Sequence, residues 1–247
     1  MKSEDLRKII WIPAAILGAC LVLGLAIHGW ENGRGRDANN ISVTGSVKKK
    51  VTSDLAKWDA TFSRRSGLFN LKETLALSAQ DAAAIERFIE AHGLSTKDVT
   101  FLPMTTEQIV VYNHGGDGDN TITGYTVHQE VRVESVDLAK VEKLAKDLTQ
   151  LVDQGIIADY QNTQYLYTKL DDLRPQLFAD ATKDAKARAE AIAAGTGNHI
   201  GALRSARTGV VQVLSPNSTD VSDYGSYDLS TKEKEVSATV NVSFELQ

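Results

Sequence analysis

The segment Ile122–Ser135, ITGYTVHQEVRVES, indicates the fold class because apolar and polar residues alternate along it. One face of the extended chain would carry Tyr125, Val127, Val131 and Val133, and the other Thr126, His128, Glu130, Arg132 and Glu134. A strict period of two predicts a β-strand, here over Thr121–Glu134. The sheet that contains it should have one buried face and one face that is solvated or covered.

Further strands and helices are predicted on both sides of this segment. The other strands are a hairpin within Ile41–Ser66 and segments at Glu107–Tyr112, Gln161–Lys169, Leu203–Leu214 and Glu235–Leu246. The helices are Ser78–His92 with Ser78 as its cap, Asp137–Gln154 and Pro175–Ala194. The order ββ-α-ββ-α-β-α-ββ, with antiparallel strands and interleaved helices, predicts the α+β class.

The N-terminal segment Ile9–Ile27, IIWIPAAILGACLVLGLAI, contains no charged residue. As a helix it would span roughly 28 Å, close to the ~30 Å hydrocarbon core of a bilayer. Trp11 and Trp30 lie near its ends, where indole rings favour the membrane interface. We therefore predict a single N-terminal transmembrane helix within residues 9–30. Residues 1–8 would precede it, residues 31–40 would form a linker, and residues 41–247 would form one α+β domain.

Two other interpretations of this segment remain open. Gly24-Leu25-Ala26 offers small residues for a signal peptidase, which would give a secreted periplasmic protein. Leu17–Cys20 resembles a lipoprotein signal that ends in the only cysteine. The apolar run favours a retained anchor, because it is longer than the usual signal core and continues past Cys20 to Ile27.

The basic residues around the apolar segment predict its orientation. Lys2, Arg7 and Lys8 precede it, whereas Arg34 and Arg36 follow it. The positive-inside bias therefore favours a cytoplasmic N-terminus. We predict a single-pass protein of the cell inner membrane whose C-terminal domain is periplasmic or extracellular.

The composition after the apolar segment excludes several classes of function. Residues 31–247 carry 24 Lys and Arg against 30 Asp and Glu, a formal charge of −6. Such a surface repels nucleic acid, so we expect no nucleic-acid partner. Cys20, which lies within the apolar segment, is the only cysteine of the chain. The exported part therefore has no disulfide, thiol nucleophile or thiolate metal site.

Motifs for catalysis or for cofactor binding are absent from the sequence. The five histidines form no HxH, HxxxH or HExxH spacing, and there is no GxSxG, GxGxxG or phosphate-binding loop. Residues 115–120, GGDGDN, resemble one unit of a calcium nonapeptide repeat, but a hairpin tip is the favoured interpretation. We predict no catalytic residue, metal or cofactor.

Three residues are candidates for contacts with a partner. His128 lies beside Glu130 and Arg132 on the polar strand face, which is either solvated, a polar cluster or an oligomer contact. Tyr224 and Tyr227 lie in the long polar segment Ser215–Lys234. Aromatic residues in such a segment are often interface anchors, although they can also pack against a sheet edge.

Three stretches together resemble a known family. They are ISVTGSVKKKVTSD (Ile41–Asp54), ITGYTVHQEVRVES (Ile122–Ser135) and LFADATKDAKARAEAIAAGTGNHIGAL (Leu177–Leu203). Their order and spacing resemble the SIMPL-domain family of bacterial envelope proteins. The resemblance implies an α+β domain that is secreted or tethered in the envelope. Some members assemble into ring-like or channel-like oligomers, and some are linked to oxidative or envelope stress. It implies no catalytic residue.

From these observations we expect a non-enzymatic, membrane-tethered envelope protein that forms a homo-oligomer or binds another envelope protein. The first and last strands are expected to supply the sheet edges for this association. The alternative is a small-ligand-binding module or an enzyme with a pocket between sheet and helices.

Overall fold

The computed structural model describes residues 39–111, 121–219 and 224–247. These residues form two compact units. Of the described residues, unit 1 comprises those from 39 to 47, Gln176–Val210 and Ala238–Gln247, and unit 2 comprises those within Lys48–Pro175 and Val211–Ser237. Each unit has its own core, built from strands and at least one helix.

The described residues form nine strands and three helices, together with two short 3-10 segments. The strands are β1 (Asn40–Thr52), β2 (Leu55–Gly67), β3 (Val99–Phe101), β4 (Thr105–Val111), β5 (Thr121–Ser135), β6 (Ala158–Leu166), β7 (Ile200–Thr208), β8 (Gln212–Leu214) and β9 (Glu233–Leu246). The helices are α1 (Leu71–Ala91), α2 (Leu138–Asp147) and α3 (Leu170–Gly195), and the 3-10 segments are Thr96–Asp98 and Leu148–Gln154.

The predicted fold class, which places a transmembrane helix before the α+β domain, is wrong with respect to that helix. In the described residues, strands mix with three helices, and none of these helices has the length and apolar character needed to cross a membrane. The longest, α3, carries acidic and basic side chains along its 26 residues. The predicted anchor in residues 9–30, with Trp11 and Trp30, lies outside the described residues.

Unit 1 is built from a helix that lies close to a sheet. Its strands are ordered β1-β9-β7, and the alanine stripe of α3 packs against β1 and β9. The buried residues of this core are Val43, Ala181, Ala185, Ala189, Val240, Val242 and Phe244. A Cβ on Gly45 would lie only 2.5 Å from the backbone nitrogen of Ala185. The glycine and the alanines therefore permit the close approach of helix and strand.

Unit 2 contains a five-stranded antiparallel sheet with α1 and α2 against one face. Its strand order is β3-β5-β2-β6. Strand β4 also pairs with β5, along the part of β5 that precedes its pairing with β3. The core includes Trp58 of β2, which is fully buried, together with Ile85 of α1 and Leu144 of α2. Val127, Val131 and Val133 of β5 are also buried, which confirms the predicted dry face of that strand.

A second glycine marks a close approach within the sheet of unit 2. Gly124 of β5 lies opposite Gly67 of β2. A Cβ on Gly124 would overlap the carbonyl oxygen of Ser66. Gly45 and Gly124 therefore each mark a place where the backbone of another element leaves no room for a side chain.

Candidate functional site

The candidate residue His128 lies on the polar face of β5, opposite the face that carries the buried valines. Its Nε2 atom lies 3.6 Å from Glu107 Oε2. On the same face, Arg132 donates hydrogen bonds to Asp59 (2.7 Å) and to Glu130 (3.1 Å). The hydrogen bond to Asp59 and the charge of that carboxylate raise the pKa of Arg132. This face is therefore a partly solvated network of paired charges.

A small cleft adjoins His128 on this face of unit 2. Its volume is about 350 Å³, and its lining residues are Thr61, Leu102, Pro103, Thr105, His128 and Glu130. This volume lies at the lower end of the range typical of ligand pockets. The cleft offers an imidazole, a carboxylate and an apolar wall. It can therefore hold a small polar molecule, but it contains no serine, cysteine or lysine nucleophile.

Gln129 shapes this region although the sequence pattern gives no reason to select it. It falls in the buried row of β5 and is 5% exposed. Its Nε2 atom donates to Leu102 O (2.7 Å) and to Glu130 O (3.0 Å). The bond to Leu102 holds the chain between β3 and β4 against β5, and that chain forms the apolar wall of the cleft.

Tyr227 packs against the end of β6. Its hydroxyl accepts a hydrogen bond from Tyr167 N (2.8 Å) and donates one to Tyr167 O (3.0 Å). Two residues further on, Leu229 O accepts a hydrogen bond from Tyr165 N (2.8 Å). Tyr224, in contrast, is 99% exposed. The structure therefore separates the two tyrosines, with Tyr227 holding its segment against the sheet and Tyr224 pointing into solvent.

The cluster of Asp228 and Lys234 anchors the same segment, and sequence reasoning misses it. Lys234 is fully buried, and its Nζ atom donates to Asp228 O (2.5 Å), Thr231 O (2.7 Å) and Asp228 Oδ2 (3.2 Å). Burial raises the pKa of Asp228, but hydrogen bonds from Thr231, Ser230 and Lys234 outweigh it and leave that pKa far below its ordinary value. The cluster has a structural role, because its donors and acceptors satisfy one another.

A groove runs along the free side of β6 in unit 2, and we call it the β6 groove. Its volume is about 550 Å³, and it is lined by Glu142, Ala145 and Lys146 of α2 and by Gln161, Asn162, Thr163 and Tyr165 of β6. Burial and the neighbouring Glu142 carboxylate raise the pKa of Tyr165. Since β6 ends the strand order of its sheet, the groove combines a strand edge with the side of a helix.

The two edges of the unit 1 sheet differ in how they are covered. At β1, Asp184 Oδ2 of α3 accepts a hydrogen bond from Ser46 N (2.8 Å), and Arg188 donates to Ser46 Oγ (3.3 Å). These bonds to Ser46 N and Arg188 hold the pKa of Asp184 below its ordinary value. Strand β7 forms the other edge, and seven of its nine residues, Ala202–Thr208, are exposed. Helix α3 therefore caps part of the β1 edge, whereas the outer side of β7 is open, since no strand among the described residues pairs with it.

The expectation that the first and last strands supply free edges is wrong for the last strand. Strand β9 lies between β1 and β7, with Leu203 opposite Phe244 and Thr208 opposite Val240. Its strict alternation, which buries Val240 and Val242, reflects this central position. The strand that ends the sheet is β7, whose sequence has no such alternation.

Among the residues that the structure describes, no three His, Cys, Asp or Glu side chains are grouped to hold a metal ion. The calcium-like segment at residues 115–120 lies outside them.

Comparison with known families covers most of the chain. The family model SIMPL, described as a protein of unknown function (DUF541), matches residues 41–244. This range includes Gly45, Gly124, the β6 groove and β7. A search of curated proteins finds no match. The chain therefore belongs to the SIMPL family, whose molecular function is unknown.

Proposed function

We propose that the protein is a non-enzymatic binding protein of the cell envelope that associates with further copies of itself through β7, or with another envelope protein. One observation supports this proposal above the others, namely the open edge at β7. A strand at the end of a sheet presents unpaired N–H and C=O groups, which pair readily with a strand of another chain.

The side chains of β7 support the same function. Leu203 is 53% exposed, although it lies opposite the buried Phe244 in the sheet. On α3 of the same unit, Ile192 is 52% exposed. An apolar side chain on an open strand gives a second chain both backbone and side-chain contacts. The β1 edge is less available to a second chain. Ser46 N cannot pair with another strand there, because it already donates its hydrogen bond to Asp184.

Association is tested by measuring the mass of the full-length chain in mild detergent by light scattering. The proposal predicts a mass that rises with concentration above the 26.8 kDa of one chain. Leu203→Glu should reduce the assembly to monomers, because it places charge against the second chain. Val136→Glu is the matched control, since Val136 is also exposed but lies in unit 2. A wild-type protein that stays monomeric at high concentration would contradict self-association through β7.

A small-ligand-binding role is the second candidate, and the cleft beside His128 supports it. A screen of small polar metabolites by melting temperature tests this role, because a ligand that binds only the folded chain stabilises it. His128→Ala should abolish any shift that arises in the cleft. The periplasmic location and the link to stress stay predictions of the sequence.

A further inference from the structure

The orientation of the β6 backbone leaves part of that strand unpaired. Tyr165 N donates to Leu229 O, so the N–H of Tyr165 points away from β2. Backbone groups alternate in direction along a strand, so those of Thr163 and Gln161 point away from β2 as well. No main-chain group of residues 39–111, 121–219 or 224–247 pairs with this side of Thr163 or Gln161.

The protein already places a segment of its own on the neighbouring part of this edge. Tyr227 and Leu229 hold that segment against Tyr167 and Tyr165 through hydrogen bonds of 2.8 to 3.0 Å. The covered part ends at Tyr165, which also lines the β6 groove. An extended segment from another chain can therefore lie along the rest of this edge, where Thr163 and Gln161 offer two N–H and two C=O groups.

The walls of the groove are held in place by contacts within unit 2 at the position where this segment would lie. The side chain of Gln161 accepts a hydrogen bond from Trp58 Nε1 (3.1 Å), and Trp58 is fully buried. On the opposite wall, Ala145 of α2 is small and leaves room beside Thr163. A preformed groove of this kind loses little conformational entropy when it binds.

The charge of the groove indicates the chemistry of its occupant. Glu142 is neutralised within the protein, because its Oε1 lies 3.2 Å from Lys232 Nζ. Lys146, which lines the same groove, pairs with no carboxylate among the described residues. The groove therefore presents one uncompensated positive charge, which complements an acidic side chain.

We propose that the β6 groove binds an extended segment of a partner protein, adding it to β6 as a further strand with an acidic side chain beside Lys146. This mode of recognition takes its affinity from main-chain hydrogen bonds and its specificity from side chains along the groove. The site lies in unit 2, so it is separate from the β7 surface of the proposed self-association.

Fluorescence anisotropy with labelled peptides tests this proposal on the full-length chain in mild detergent. One probe is a strand-length peptide of alternating Thr and Val with a central Glu, and its sister carries Lys in place of Glu. A third peptide has the Glu sequence with alternate backbone nitrogens methylated. We expect the Glu peptide to bind about fivefold more tightly than the Lys peptide. The methylated peptide should not bind, because it lacks the donors that β-strand addition requires.

Two variants locate the site. Thr163→Pro should abolish binding, since proline removes an outward N–H and is tolerated on an edge strand. Lys146→Glu should reverse the preference between the Glu and Lys peptides. Lys143→Glu is the matched control, because Lys143 is exposed on the same helix but does not line the groove, and it should leave both affinities within twofold.

Several outcomes would overturn the proposal. They are no binding of either peptide at about 1 mM, equal binding of the methylated peptide, or Glu-peptide binding that Thr163→Pro and Lys146→Glu leave unchanged. If the Thr163→Pro variant, without peptide, forms a smaller assembly than the wild-type protein does, the occupant of the groove is a second copy and the partner segment is refuted. If this variant does not fold, the methylated peptide on wild-type protein decides.

Discussion

Substituting Gly45 by alanine tests the packing of α3 on β1 in unit 1. The new Cβ would lie 2.5 Å from Ala185 N and 2.6 Å from Ala185 Cβ, and it would also overlap Ala181 O. Ordinary contact begins at 3.4 Å. Two of the three nearest atoms belong to the helix backbone, so no side-chain rotation can relieve the overlap. The helix and the strand must separate by roughly 1 Å.

The expected loss of stability follows from this separation. Overpacking a tight core costs about 1 to 3 kcal/mol, and an overlap with backbone belongs at the upper end. Moving α3 also disturbs the hydrogen bond from Ser46 N to Asp184, which acts in the same direction. Against this, alanine restricts the unfolded chain more than glycine does, by about 0.5 to 1 kcal/mol. We therefore expect Gly45→Ala to destabilise unit 1 by about 2 to 3 kcal/mol.

Urea unfolding of the full-length chain, followed by circular dichroism, measures this loss. Gly195→Ala is the matched control, because Gly195 ends the same helix and a Cβ there meets no atom of the described residues within 4 Å. The control should be neutral or stabilising by up to about 1 kcal/mol. If the free energies of unfolding of Gly45→Ala and of the control differ by less than about 0.5 kcal/mol, the close approach of helix and strand is refuted.

Three further substitutions test unit 2. Gly124→Ala should lower the free energy of unfolding by about 2 kcal/mol, because the new Cβ overlaps Ser66 O. Asp228→Asn should cost about 3 kcal/mol at neutral pH, because it leaves a buried lysine without its counter-charge. Tyr227→Phe should cost about 1 kcal/mol, through the loss of both hydrogen bonds to Tyr167. Chemical denaturation of the full-length variants measures all three.

The pH dependence of Asp228→Asn follows from the lowered pKa of Asp228. Folding favours the ionised carboxylate, so its contribution is complete above the ordinary pKa of 3.8 and is lost as pH falls towards the lower pKa of the folded chain. The difference between wild type and Asp228→Asn should therefore be constant from pH 5 to 7 and shrink below about pH 4. A difference that grows on acidification would contradict this assignment.

Controls for the other two substitutions are available in the same unit. Gly67 lies opposite Gly124 in the sheet, but a Cβ on Gly67 meets none of the described atoms within 4 Å. Gly67→Ala should therefore leave the free energy of unfolding nearly unchanged. Tyr224→Phe changes a fully solvated ring and should leave stability unchanged. Equal losses for Gly67→Ala and Gly124→Ala, or for the two Phe variants, would show that the assigned contacts do not stabilise the fold.

The sequence predicts long, regularly patterned elements well. The alternation of β5 and β9 and the apolar stripe of α2 are all found, because each buries one continuous face in a core. Strand β3 escapes prediction, since three residues are too few to show a period. The single strand predicted over Leu203–Leu214 is divided into β7 and β8. Helix α1 begins at Leu71 rather than near Ser78, and Ser78 lies buried within it instead of capping it.

The binding surfaces are harder to predict because they depend on pairings between distant residues. Asp184 caps the β1 edge across 138 positions of sequence, and Lys232 neutralises Glu142 across 90. Neither pairing leaves a local pattern. The exposure of β7 is likewise set by its place at the end of the sheet. The segment that holds Tyr227 against β6 depends on the buried Lys234, which composition alone places on the surface.

Hydrogen exchange along β7 tests the central claim most directly, namely that this open edge binds a further chain. The full-length protein is labelled in deuterated buffer over a range of concentrations, and peptides that cover Ile200–Thr208 are followed by mass spectrometry. The account predicts that amide protection of β7 rises with protein concentration while that of the buried strand β9 stays constant. Protection of β7 that does not change with concentration, beside a mass that does, would contradict it.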